Sequence, residues 1–117
     1  MRRRHIDIYL ANKKSRLPIR REVLAYEVVP GLAIHRDLAV DPDKDYAETV
    51  HDLWNVTHIR SGKTIGGLFT NALAAARFAR DMGGLANWDR REGDIPDRAY
   101  LSTKARFFAQ FYPKGEI

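Results

Sequence analysis

At 117 residues, with 44% hydrophobic and 30% charged side chains, the sequence describes one soluble domain with a modest core rather than a disordered chain. It contains no cysteine, which excludes a disulfide framework, a thiolate metal site and a cysteine nucleophile. The net charge of +5 is unevenly spread: residues 1–22 hold eight Lys/Arg against Asp7 and Glu22, while residues 37–52 hold six acids against Lys44.

No apolar run approaches the roughly 20 residues of a membrane helix, so no membrane partner is expected. The opening MRRRHIDIYLANKK is basic, but Asp7 breaks its apolar part. A signal peptide is therefore not expected, and the cytoplasm is the expected location.

In chain order, residues 1–5 read as a basic N-terminal arm. Ile6–Leu10 alternates and suits a short strand with Ile6, Ile8 and Leu10 on one face. Asn12–Arg16 is a polar turn. Val23–Val29 is a second strand that stops at Pro30-Gly31, with Pro at the second turn position and Gly at the third. The chain returns through Leu32–Leu38, with Leu32, Ile34 and Leu38 inward. Residues 39–50 then form an acidic loop. Its Asp41, Asp43 and Asp45 have the opening spacing of a calcium loop, but the sixth and twelfth positions are Tyr46 and Asp52 where Gly and Glu are needed.

Trp54–Met82 organises the rest. Ser61-Gly62 suits a two-residue hairpin loop, since Gly takes the positive φ of the primed turns. Counting outward pairs His58 with Ile65, Val56 with Gly67 and Trp54 with Phe69. The opposite side pairs Thr57 with Gly66 and Asn55 with Leu68. Thr70 or Asn71 offers an N-cap for a helix over residues 71–82, and Gly83-Gly84 a stop. Ala74, Ala75, Phe78 and Met82 form its apolar stripe, which places it across Trp54, Ile65 and Phe69. Beyond Trp88, a C-terminal helix is expected over about 98–112, or a shorter one capped by Ser102 or Thr103, with Leu101, Phe108 and Tyr112 on one side and Pro113 ending it. The predicted fold is α+β: a four- or five-stranded antiparallel sheet packed on one face by a helix.

Tests for chemistry mostly fail. Ser61-Gly62-Lys63-Thr64 has the end of a P-loop, but Thr57 stands where its first Gly belongs and a strand follows instead of a helix. His5, His35, His51 and His58 lack the spacing of a metal pair. No nucleophile elbow surrounds Ser15, Ser61 or Ser102. The expectation is a protein that is not an enzyme, with no catalytic residue, metal or cofactor.

Binding surfaces are better supported. Asn55 and Thr57 would give the hairpin a low, polar outer face. Arg60 and Lys63 stand at its tip, and Arg2, Arg3 and Arg4 lie in the arm, a set suited to nucleic-acid phosphates. The alternative is a protein-interaction module that dimerises through Phe107, Phe108, Phe111 and Tyr112. A small-molecule pocket between helix and sheet is a third possibility.

The W-x-V strand, Ser-Gly-Lys hairpin, closing Phe69 and Ala-rich helix of residues 54–82 resemble small sheet-plus-helix DNA-binding modules. Among these are the integrase arm-binding and AP2-like domains. The PC4/Whirly-like fold, with four strands and a helix, is a neighbouring resemblance. It implies a DNA-binding or regulatory protein, of the kind mobile elements encode.

Overall fold

A computed structural model describes residues 1–112. Five antiparallel strands pair in sequential order: β1 (Arg2–Ala11), β2 (Pro18–Val29), β3 (Leu32–Asp41), β4 (Tyr46–His58) and β5 (Lys63–Phe69). Two helices follow, α1 (Ala72–Gly83) and α2 (Arg98–Ala109), with a single 3₁₀ turn at Glu92–Asp94 between them. The expected α+β architecture is the one found. Among the described residues, no helix is long and apolar enough to cross a membrane.

The strands run longer than their apolar centres suggest. Arg2, Arg3 and Arg4 are not a free arm but the first rungs of β1, with Arg2 opposite Glu27 and Arg4 opposite Ala25. Nor is 39–50 a loop, because only residues 42–45 turn. Val40 and Ala47 supply inward apolar side chains on either side of that turn, and the acids fill the turn and the exposed positions.

At the base of the β4–β5 hairpin, Trp54 faces Phe69 as counted, yet at the tip Thr57 faces Thr64 and His58 faces Lys63. The loop is therefore residues 59–62 rather than Ser61-Gly62 alone. Gly62 takes φ +69° and donates its N–H to His58 O at 2.9 Å. Two register shifts between Trp54 and Thr57 absorb the difference. Beside them Leu68 takes φ +63° and donates its N–H to Asn55 Oδ1 at 3.2 Å.

Asn71 caps α1, its side chain accepting from Ala74 N–H at 2.8 Å. Ala74, Ala75, Phe78 and Met82 are buried as their spacing predicts, together with Ala76 and Ala79. They pack on Leu32, Ile34, Val56 and Phe69, with Trp54 and Ile65 at the margin. Alanines bring the helix close to the sheet. A Cβ on Gly66 would lie 2.4 Å from the Phe78 ring, and Phe78 and Phe69 meet with centroids 5.1 Å apart. α2 starts after Asp97 and buries Leu101 and Ala109, with Phe108 and Tyr112 half-buried on the same core. It ends at Ala109, short of the expected boundary. The expected stop at Pro113 lies outside the described residues.

The second face of the sheet is also buried, because the sheet curls. β2 and β3 pair only where Tyr26–Val29 meets Leu32–Ile34. Beyond that point β1–β2 and β3–β4 continue as two separate ribbons, and Ile6, Ile8, Ala25, Ala33, Leu38 and Ala47 form a second core between them. Leu38 belongs to this core, not beneath the helix with Leu32 and Ile34, because a register shift at Arg36/Asp37 intervenes. Fully buried Asn12 joins the far tips. Its Nδ2 donates to Pro42 O at 3.2 Å and to Asp45 Oδ1 at 2.8 Å, while its Oδ1 accepts from the N–H of Lys14 and Ser15. β1 in turn touches the β4–β5 turn, with Tyr9 N–H donating to Gly62 O at 3.2 Å.

Candidate functional site

The residues expected to grip phosphates do not form one surface. Asn55 and Thr57 are buried, where an outer face was expected. The reason is the curl of the sheet: their side faces the interior. Thr57 Oγ1 lies 2.7 Å from His35 Nε2, and Asn55 Nδ2 donates to Asp37 Oδ1 at 2.6 Å. At the tip, Arg60 pairs with Asp89 at 3.2 Å and Lys63 with Glu92 at 2.8 Å. Arg4 pairs with Glu27 at 3.4 Å, whereas Arg2 and Arg3 are exposed with no ion-pair partner among the described residues. β1 meets the turn at Tyr9, so at about 3.3 Å per residue Arg3 stands roughly 20 Å from it.

What the fold does bring together is a half-open cleft of 430 Å³ between β5, the connector from α1 to α2, and α2 itself. Ile65, Met82, Trp88, Ile95, Leu101 and Ala105 give it apolar walls. Lys63, Glu92, Arg98 and Arg106 give it a charged rim. Helical spacing explains the α2 side: Arg98, Ser102 and Arg106 stand four residues apart along one row, with Leu101 and Ala105 beside them. Trp88 is fixed by its indole N–H, which donates to Met82 O at 2.8 Å.

The Glu92 carboxylate bridges two cations from different elements, Lys63 Nζ at 2.8 Å and Arg98 Nη2 at 2.7 Å. The hydrogen bond from Lys63 holds its carboxyl below the ordinary carboxylate range, with Arg98 adding to the effect. Arg106 has no ion-pair partner among the described residues. The rim therefore carries three cations and one carboxylate.

His58 sets the position of the connector. It is buried at the end of β4, and its Nε2 lies 2.8 Å from both Trp88 O and Arg90 O. Carbonyls only accept, so Nε2 carries the hydrogen, and Nδ1 faces Ser61 Oγ at 2.8 Å. The imidazole thus ties the hairpin turn to the segment that carries Trp88 and Glu92. A second recess of 310 Å³, between the two ribbons, is less suited to a ligand. Its two guanidinium groups lie over rings, Arg21 over Tyr46 and Arg36 over Trp54, and the buried Arg21 Nε has no hydrogen-bond partner among the described residues.

The four C-terminal aromatics divide. Phe108 and Tyr112 pack inward, and the Tyr112 hydroxyl donates to Asp81, which raises its pKa. Phe107 is 48% and Phe111 65% exposed, their rings edge-on at 5.2 Å. Sequence reasoning raised a pocket between helix and sheet but did not place it, because its walls come from segments up to 48 residues apart, His58 to Arg106. The one local signal is the Arg98, Ser102, Arg106 row, which puts two cations and a hydroxyl on one side of the C-terminal helix.

No family model matches this chain, and neither a curated protein nor a solved structure is significantly similar to it.

Proposed function

We propose that this protein binds a small molecule, and that the cleft between β5, the connector and α2 is its receptor site. The observation that carries the reading is the pairing of buried apolar walls with converging charged side chains in one recess of 430 Å³. Ligand sites combine these features, apolar surface supplying affinity and a few polar groups fixing orientation. The test is a set of one- and two-ring compounds, charged and neutral, titrated into the full chain and followed by amide chemical shifts. Binders are expected to move the amides of Ile65, Trp88 and Leu101. The shifts are expected to vanish in Ser102→Trp, where an exposed wall residue becomes large enough to fill the mouth. A complete set that moves none of these amides at millimolar concentration refutes the reading.

Nucleic-acid binding is a second reading, supported by Arg2 and Arg3, exposed and without an acidic partner among the described residues. It rests on charge alone, so affinity should fall steeply with salt and be lost in an Arg2→Gln, Arg3→Gln variant. Anisotropy titrations with single- and double-stranded oligonucleotides that detect no binding at low salt end it.

A further inference from the structure

Resting on the cleft reading, we propose that the ligand is an organic carboxylate with a flat apolar body, and that Glu92 holds the place its carboxylate takes. Lys63 comes from β5 and Arg98 from the start of α2, yet both point at one carboxylate, that of Glu92. Two cations converging from separate elements form a carboxylate receptor, and the guanidinium adds directional donors to the point charge of the ammonium. Glu92 pairs with two of the three rim cations but brings one negative charge against their three positive ones. The excess, with Arg106 two turns along the helix from Arg98, favours an anion beside walls of low polarity.

The walls specify the rest of the molecule. Trp88, Leu101 and Ile95 are buried side chains that line the cleft, and Trp88 is held in one orientation by its bond to Met82 O. A planar ring meets such an indole at low entropic cost. The ligand's carboxylate would displace Glu92 from Lys63 and Arg98. Glu92 lies on the single 3₁₀ turn of the connector, with its side chain about one-third exposed, so it can swing into water without unpacking the core. The residue therefore acts as a competitor carried by the protein itself, setting a threshold concentration for the ligand.

The experiment compares indole-3-acetate with its neutral isostere indole-3-acetamide by amide chemical-shift titration of the full chain. The acetate is expected to bind at least about tenfold more tightly than the amide, the scale of one charge-assisted contact. Glu92→Gln is expected to tighten the acetate by about tenfold and leave the amide unchanged. Arg106→Gln, which breaks no ion pair among the described residues, is the second variant. It is expected to weaken the acetate and spare the amide. Equal binding of acetate and amide, with no effect of Glu92→Gln, overturns the carboxylate assignment while leaving the cleft as a binding site. If neither compound moves the Ile65, Trp88 and Leu101 amides, the assignment falls. The wider set of compounds then decides whether the cleft reading falls with it.

Discussion

Replacing His58 with alanine removes the tie between the β4–β5 turn and the connector that forms one wall of the cleft. The ring is 2% exposed and makes three contacts at 2.8 Å, to Ser61 Oγ, Trp88 O and Arg90 O. Each connector bond contributes about 1 kcal/mol, and the space left by a buried ring costs about 1 kcal/mol more. The expected loss is about 3 kcal/mol. With an unfolding entropy near 2 cal/mol/K per residue, that lowers the melting midpoint by roughly 12 °C. His58→Gln, whose carboxamide N–H₂ can reach the position of Nε2, is expected to recover about half. Urea unfolding followed by tryptophan fluorescence gives the energy, and amide hydrogen exchange gives its location. Exchange should quicken most over residues 85–95 and least in α1. A loss below about 1 kcal/mol, or a uniform rise in exchange with no excess in the connector, refutes the claim that His58 positions this wall.

Asn12→Ala removes four side-chain hydrogen bonds at the ribbon tips, whose partners regain water. The expected cost is about 2–3 kcal/mol in urea unfolding, and coupling to Asp45→Ala in a double-mutant cycle isolates the bond between them. Gly66→Ala forces a Cβ into the Phe78 ring and is expected to cost about 2 kcal/mol or more, measured by thermal melting. Burial holds His35 below the ordinary histidine value, so the unfolded chain binds more protons than the fold as pH drops. Its contribution is fully present above about pH 6.5 and is lost as pH falls through the lower folded value. The urea midpoint should accordingly fall between pH 7.5 and 5.5 and vary less in His35→Asn. Phe111→Ala, at a ring 65% exposed, should change stability by less than about 0.5 kcal/mol, whereas a concentration-dependent loss in sedimentation would show that a second copy covers it.

The sequence was legible where one period governed one element. Ala74, Ala75, Phe78 and Met82 recur at helical spacing and are buried, and the base of the hairpin pairs Trp54 with Phe69 by simple counting. Counting failed at its tip, because Asn55 Oδ1 takes up the Leu68 N–H at a register shift that no alternation pattern announces. Alternation puts Asn55 and Thr57 on the side of the strand away from Val56, and their polarity suggests water where they instead meet Asp37 and His35. A buried polar side chain with a partner looks the same in sequence as an exposed one. The charges misled for a related reason: Arg60 and Lys63 find Asp89 and Glu92, 29 residues further on, so local runs of sign do not describe the final field.

Every strand of the sheet pairs with its neighbour in the chain, and β2 is held to β3 over a short stretch only. Folding therefore requires few large loops to close, which favours rapid formation of the β1–β2 and β3–β4 hairpins as independent units. Their docking is expected to follow, with Asn12 latching onto the turn at residues 42–45. Weakening that latch should speed unfolding while leaving the rate of hairpin assembly unchanged.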